Sequence, residues 1–101
     1  MALIYLGATV RFTATIVDTD GTALIPDSNE VKVYDPNDKL KTTIPTGSIT
    51  QGVPTNTFWC EYTIPASGKT GFWSIIWKAT ITGPPVRVGI GRSQFPVKAH
   101  P

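Results

Sequence analysis

Histidine and cysteine, on which many catalytic and metal sites depend, are nearly missing from this sequence. Its 101 residues contain one cysteine, Cys60, and one histidine, His100. A single cysteine excludes an intramolecular disulfide and a metal site built from cysteine pairs. His100 lies beside the C-terminal Pro101, where order is least expected, so it is a poor base for a serine or cysteine nucleophile. We therefore predict that the chain is not an enzyme and has no catalytic residue, cofactor or metal.

Pairs of carboxylates occur only in segments that have the composition of turns. Asp18-Thr-Asp-Gly21 and Asp35-Pro-Asn-Asp38 each hold two aspartates. Aspartate in a turn bonds nearby backbone groups, which explains these residues without general acid–base catalysis. The first segment also resembles the opening of a calcium loop, but the next acidic residue is Asp27, so the later ligands are missing. A calcium site completed by a distant loop stays open.

Strong net charge and long apolar runs are also missing. Nine basic and seven acidic residues leave a formal net charge of +2. Nucleic-acid recognition usually needs a concentrated basic face, so we expect no nucleic-acid partner. No run approaches the ~20 apolar residues of a membrane span, and the first residues lack the features of a signal peptide. We expect neither a membrane partner nor secretion, and we expect synthesis in the cytoplasm.

The segment 71–81 is the most heavily apolar stretch of the chain. Its alternate residues are Trp73, Ile75, Trp77, Ala79 and Ile81, a spacing that predicts a strand with one face in a core. We take it as the central strand of the fold. Nine prolines, nine glycines and many threonines and serines favour short strands joined by tight turns.

Seven further segments have the pattern of strands. They are 3–6, 10–17, 30–34, 40–44, 58–64, 86–90 and 95–97. Cys60 falls in an apolar alternation and is predicted to be a small buried hydrophobe. Gly89 and Gly91 suggest a bulge or the close approach of another backbone. Since turn signals recur every ~8–12 residues, we predict one domain over 1–101, an all-β, antiparallel sandwich of about seven or eight strands. Residues 1–6 are predicted to be an edge strand or docking arm, and 98–101 a flexible tail.

Six short motifs follow one another along nearly the whole chain. They are Asp18-Thr-Asp-Gly21, Val31-Lys-Val-Tyr-Asp-Pro36, Tyr62-Thr-Ile-Pro65, Gly71-Phe-Trp73, Trp77-Lys-Ala79 and Phe95-Pro-Val97. Their order resembles the small immunoglobulin-like sandwich modules of tailed-phage and prophage virion proteins. The resemblance implies an immunoglobulin-like fold and a non-enzymatic structural or attachment role in a virion, as a neck, tail or capsid-surface subunit. The cysteine pair of antibody domains is missing, which leaves the broad sandwich class.

Some large apolar side chains are expected on the outside. If Phe58 and Trp73 point into the core, strand alternation turns Trp59, Phe72 and Ile76 outward. Large exposed apolar groups gathered in one area mark contact surfaces. Two alternatives stay open: loops or the N-terminal segment cover these residues, or the faces are reversed.

Three functional hypotheses follow. In the first, the chain is a virion subunit that contacts copies of itself and other virion proteins through Trp59, Phe72 and Ile76. The segment containing Leu3, Ile4 and Tyr5 would then add an arm or edge strand to a neighbour. In the second, the chain is a carbohydrate-binding or host-attachment module in which Trp59 and Phe72 stack on the rings of a glycan. The third is an intracellular adaptor with no viral connection.

Overall fold

The structure is a computed structural model that describes residues 4–82 and 85–99. Eight strands and one 3-10 turn follow one another in these residues. They are β1 (Ile4–Tyr5), β2 (Thr9–Thr15), β3 (Ser28–Tyr34), β4 (Leu40–Ile44), the turn Thr46–Ser48, β5 (Thr50–Gln51), β6 (Thr57–Thr63), β7 (Gly71–Ile81) and β8 (Arg87–Lys98). The larger sheet has the order β1-β8-β7-β3-β4, and the smaller sheet has the order β2-β6-β5.

The predicted all-β sandwich is confirmed, since the described residues form two sheets and no α-helix. The order β8-β7-β3-β4 is similar to that of strands G, F, C and C′ in an immunoglobulin variable-type sandwich, and β2-β6-β5 is similar to B, E and D. The predicted central strand has the same bounds as β7 and is the middle strand of the larger sheet. One pairing departs from the antiparallel prediction: β1 runs parallel to β8. After β1 the chain does not turn back as a hairpin. It crosses through Gly7 and Ala8 to begin β2 in the other sheet, so β1 is free to run parallel to β8.

The core lies between the two sheets and follows the predicted alternation. Burial on β7 alternates with exposure, and β2, β3 and β6 behave in the same way. The buried hydrophobic residues are Phe12, Val31, Val33, Ile44, Phe58, Cys60, Ile64, Trp73, Ile75, Trp77, Ala79 and Val97. Full burial of each large aliphatic or aromatic side chain stabilises the fold by about 2 kcal/mol before opposing entropy is counted. Cys60 is buried, as predicted.

A buried hydrogen bond inside the larger sheet complements this apolar packing. The indole Nε1–H of Trp77 on β7 donates to Oδ1 of Asn29 on β3 at 3.0 Å. The backbone N–H of Asn29 donates to Oγ1 of Thr46 at 3.0 Å, and that hydroxyl donates to the Asn29 carbonyl at 2.8 Å. Two polar side chains of the interior are therefore satisfied, which avoids the cost of an unpaired buried group.

Both aspartate-rich segments form turns, as predicted. Oδ1 of Asp18 accepts a hydrogen bond from the backbone N–H of Asp20 at 2.8 Å, and Gly21 has a φ of 88°. Oδ1 of Asp35 accepts from the backbone N–H groups of Asn37 and Lys39, each at 2.9 Å. The aspartates therefore hold backbone conformation, which is the role that turn chemistry predicts.

Gly71, the first residue of β7, has a conformation and a position that require glycine. Its φ is 129°, a value that side-chain-bearing residues rarely adopt. A Cβ built there would lie 3.1 Å from Cγ of Pro36. The missing side chain lets the turn between β3 and β4 pack directly against the start of β7.

The predicted division of the last strand is wrong. Residues 87–90 of the first segment and all of 95–97 belong to the single strand β8, and its pairing with β7 runs from Arg87 to Val97 without a register shift. Neither alternative expected at Gly89 and Gly91 is found: the pairing has no bulge, and no described backbone atom lies within 4 Å of a Cβ built at either glycine. The physical reason is that β7 offers a ladder partner along its whole length, so the polar residues between the two apolar segments continue the strand. Lys98, the first residue of the predicted tail, is the last residue of β8.

The aromatic strands β6 and β7 follow one another along the chain but lie in different sheets. β6 belongs to the smaller sheet and β7 to the larger. The connection at 64–70 crosses from one sheet to the other. Alternation determines which way each side chain points within a strand, but it does not determine which strands share a sheet.

Candidate protein-contact surface

The three residues predicted to contact a partner, Trp59, Phe72 and Ile76, do not lie on one side of the sandwich. Phe72 and Ile76 are on the outer face of the larger sheet, where Phe72 is 64% exposed and Ile76 is half-buried. Trp59 is on the outer face of the smaller sheet and is half-buried. Each side chain points outward, but the three do not form the one exposed area that was expected.

Trp59 belongs to a local cluster of polar and charged side chains. Cζ of Arg11 lies 3.9 Å from the centroid of the Trp59 ring, a distance typical of a cation–π contact. Nη2 of the same arginine is 3.5 Å from Oε2 of Glu61. Because the guanidinium covers one ring face and Phe72 is on the other sheet, Trp59 and Phe72 do not form a row of aromatics for stacking on a glycan.

The N-terminal segment pairs within its own chain at the residues that can be described. Ile4 and Tyr5 form β1, opposite Val97 and Lys98 of β8, and both are half-buried. The backbone N–H of Leu6 donates to the carbonyl of Lys98 at 3.0 Å. Leu3, the other residue predicted for the arm, lies outside the described residues. Ile4 and Tyr5 therefore form an edge strand of their own chain's larger sheet, and this pairing covers two residues of β8.

Strand β8 leaves most of its outer edge without a strand partner in the described part of the chain. Pairing with β1 involves only Val97 and Lys98. From 87 to 95, the described residues give β8 one neighbouring strand, β7. We call this stretch the free edge. Unpaired backbone groups at a sheet edge are a template for pairing with another chain.

The orientation of the backbone groups along the free edge follows from one hydrogen bond. The Lys98 carbonyl accepts from Leu6 and thus faces β1. In an antiparallel ladder, successive residues direct their N–H and C=O groups to opposite sides. The even-numbered residues of β8 therefore direct these groups away from β7. Along the free edge they are Val88, Ile90, Arg92 and Gln94.

Sequence reasoning missed the exposure of the apolar residues at this edge. Val88 is 51% exposed and Ile90 is 70% exposed, although their alternation is that of a half-buried strand. Their side chains lie on the outer face of the larger sheet, with Phe72 and Ile76. The signal in the sequence was the run Val86-Arg-Val-Gly-Ile90, in which apolar residues share one face. What could not be foreseen is that this face has no layer over it among the described residues.

Cationic side chains interrupt this apolar surface. The β-ladder places Lys32 and Arg92 on either side of Ile76, and Lys78 beside Ile90. We call this part of the outer side of the larger sheet the contact face; its members are Lys32, Phe72, Ile76, Lys78, Val88, Ile90 and Arg92. Glu30 lies on the same side, opposite Lys78, and its Oε1 is 3.9 Å from Nζ of Lys32. The other basic residue of the free edge, Arg87, points to the opposite side of the strand, so the basic residues of β8 do not all gather on one face.

A cleft opens along the inner side of the free edge, between β8 and the chain that continues from β2. It has a volume of about 490 Å³, and its walls include Ile16, Leu24, Ala79, Ile81 and Arg87. Gly89 and Gly91 face this side of the strand, and a Cβ built at either would have no atom within 4 Å. The inner side of β8 is therefore open where an ordinary core strand would carry packed side chains.

Other kinds of site receive little support from the described residues. None of their histidine, cysteine, aspartate and glutamate side chains form a group of three or more that could hold a metal ion. Burial raises the pKa of the Cys60 thiol to about 11, so the thiol stays protonated at neutral pH and is a poor nucleophile. In residues 4–82 and 85–99, no helix is long and apolar enough to cross a membrane.

Comparison of the chain with protein-family models, curated proteins and solved structures gave no match. The contact face and the free edge are therefore the features of the molecule that bear on its function.

Proposed function

We propose that the chain is a non-enzymatic assembly module that binds protein through the contact face and the free edge of β8. The observation that carries the proposal is the combination of unpaired backbone groups and exposed apolar side chains on one strand, at Val88 and Ile90. Backbone groups of an edge supply affinity for an added strand, and the neighbouring side chains supply selectivity.

The contact face has the composition of a protein interface. Exposed apolar groups next to one another mark protein contacts when polar residues surround them. Phe72 and Ile76 would be anchors, together with Val88 and Ile90, which the sequence did not single out. Trp59 is not part of this surface, since it lies on the other sheet and its ring is covered by Arg11.

The narrower role, a structural subunit of a tailed-phage virion, is supported by the resemblance of the sequence motifs. Small sandwich modules of that kind act through protein contacts, which agrees with an exposed apolar face and a free strand edge. The partners would be other virion proteins and further copies of the chain, and the location would be the virion.

The test is site-specific photo-crosslinking in the cell that produces the protein. A benzophenone amino acid replaces Phe72 or Ile90 on the contact face, and Thr13 on the outer face of the smaller sheet is the matched control. We expect crosslinks to protein at positions 72 and 90 that clearly exceed those at 13. Equal yields at all three positions would overturn the proposed function.

A further inference from the structure

We propose that the free edge of β8 binds the same edge of a second copy of this chain, antiparallel and about a two-fold axis at Gly89. This inference rests on the proposed function and names its partner. The two larger sheets would join into one continuous sheet.

The backbone of the free edge selects an extended strand as its ligand. Val88, Ile90, Arg92 and Gln94 direct their N–H and C=O groups away from β7, and another strand satisfies such a row at regular intervals. Pro96 has no N–H to offer, and it lies where β8 approaches the residues paired with β1. The usable edge therefore ends before Pro96.

The outer side chains favour a second copy because the edge is complementary to itself. With the axis at Gly89, Val88 lies opposite the partner's Ile90, and Ile90 lies opposite the partner's Val88. A two-fold interface repeats each such contact. Four exposed apolar side chains would thus gather at the centre of the joined sheet, where cross-strand apolar pairs stabilise an antiparallel pair.

The charges of the edge agree with this register. Arg92 lies opposite the partner's Val86, and Arg87 lies opposite the partner's Gly91, so no two arginines face each other directly. An axis at Arg92 would instead place Arg92 against the partner's Arg92, a destabilising like-charge pair. The arrangement of charge therefore disfavours an axis at Arg92 and agrees with one at Gly89.

Glycine suits the position of the axis. Gly89 directs its own N–H and C=O toward β7, so Gly89 and the partner's Gly89 would form a non-hydrogen-bonded pair. Of the two kinds of antiparallel pair, this kind has the shorter distance between Cα atoms, about 4.5 Å. No described atom lies within 4 Å of a Cβ built at Gly89. The position therefore has room for a substituted side chain, which makes the register testable.

We expect a weak dimer. The proposed pairing joins residues 86–92 of the two copies, a contact that falls well below the ~800 Å² per partner of a standard interface. Dimer formation should therefore depend on concentration between the micromolar and millimolar range.

The register is tested by forming a disulfide across the axis. Two Gly89→Cys chains would have Cα atoms about 4.5 Å apart, within the range that a disulfide bridges. Two Gly91→Cys chains would be four residues apart along the strand, about 14 Å, which a disulfide cannot span. Gly91→Cys is thus a control on the same side of the same strand, and the wild-type protein controls for the buried Cys60.

Under mild oxidation we expect a disulfide-linked dimer from Gly89→Cys and monomer from both Gly91→Cys and wild type. A dimer from Gly91→Cys with none from Gly89→Cys would overturn the register. No disulfide from either variant, with a monomer at every concentration in sedimentation equilibrium, would overturn pairing with a second copy.

A charge substitution tests the outer face of the same pairing. Val88→Lys puts a cation against the partner's Ile90 twice in each dimer, so we expect the dissociation constant to rise about tenfold or more. Val53→Lys is the control, because Val53 is 95% exposed and precedes β6 in the smaller sheet. Equal weakening by both variants, or by neither, would count against the pairing.

The two proposals fail in distinguishable ways. A monomer in solution whose photo-crosslinks from position 90 lead to a different polypeptide would overturn the second copy and support the assembly function. Equal crosslinking at positions 13, 72 and 90, with no disulfide dimer, would overturn both.

Discussion

Asp35 is a buried carboxylate at the start of the turn between β3 and β4. Its Oδ1 accepts hydrogen bonds from the backbone N–H groups of Lys39 and Asn37. Its Oδ2 has no hydrogen-bond partner among the described residues and lies 3.8 Å from Nζ of Lys41. The hydrogen bond from Lys39, with lesser contributions from Asn37 and from the charge of Lys41, lowers the pKa of Asp35 against the opposing effect of burial.

This lowered pKa predicts a loss of stability in acid. The unfolded-state pKa of aspartate is about 3.9, so the stabilisation from Asp35 is fully present above that pH and is lost as pH falls toward the folded-state pKa. Asp35→Asn should lower the urea midpoint at pH 7 and make stability less sensitive to pH below about 5. Urea titrations of the wild type and the variant, at pH 7 and below about pH 5, measure the two midpoints and their dependence on pH.

Asp38→Asn is the matched control for Asp35→Asn, because Asp38 is exposed in the same turn and asparagine tolerates its φ of 60°. It should leave the urea midpoint at pH 7 nearly unchanged, because its exposed side chain accepts none of the hydrogen bonds that Asp35 accepts. If Asp35→Asn behaved like Asp38→Asn, the Asp35 carboxylate would not stabilise the turn through its charge.

Local sequence patterns predict the residue-scale features well and their surroundings less well. Asp35-Pro-Asn-Asp38 predicts a turn because these residue types favour turn backbones and aspartate accepts nearby N–H groups. The burial of Asp35 could not be predicted, since it depends on Gly71 letting this turn pack against β7. Trp59 and Phe72 are a second example. Strand alternation correctly predicted that both side chains point outward, but their neighbours depend on which sheet each strand joins, and alternation does not predict that.

At the scale of elements, β8 is where local reasoning was least successful. The glycines and the polar residues between Ile90 and Phe95 suggested a break, because a short window does not show the length of the strand that pairs with it. β7 was predicted with its correct bounds and supplies a ladder as far as Val97. The candidate site was missed for a related reason: exposure of Val88 and Ile90 depends on whether another layer covers the outer face.

The free edge predicts alternating hydrogen exchange along β8. The backbone amides of Gly89, Gly91, Ser93 and Phe95 face β7 and should exchange slowly. Those of Val88, Ile90, Arg92 and Gln94 face away and should exchange quickly in dilute protein. Amide exchange followed by two-dimensional NMR measures both sets in one sample, so the odd-numbered residues are the internal control.

The same exchange experiment, repeated at increasing protein concentration, tests whether two copies pair through β8. If two copies pair through β8, the fast amides should slow as concentration rises while the slow ones change little. Slow exchange at every residue of β8 in dilute protein would mean that the edge is already covered. Fast exchange at every residue would mean that β8 does not hold its pairing with β7.

For the whole molecule, the question is whether the two sheets unfold together. The smaller sheet has three strands, one of them only two residues long, so by itself it has few contacts. Its Phe12, Phe58 and Cys60 share one buried cluster with Trp73 and Trp77 of the larger sheet. A shared core in a chain of this size favours a single cooperative transition.

Two probes allow that cooperativity to be measured. Cys60 on β6 reports on the smaller sheet, and Trp73 and Trp77 on β7 report on the larger sheet. The thiol should not react with a disulfide reagent in the native protein, since it is buried and its pKa is raised to about 11. We expect the extent of brief Cys60 labelling and the tryptophan fluorescence to change at the same urea concentration. Trp59→Phe serves as the background, because it removes the half-buried indole from the smaller sheet and leaves the fluorescence of Trp73 and Trp77. Labelling of Cys60 at urea concentrations where those two indoles stay buried would show that the smaller sheet opens first and that the sandwich does not unfold as one unit.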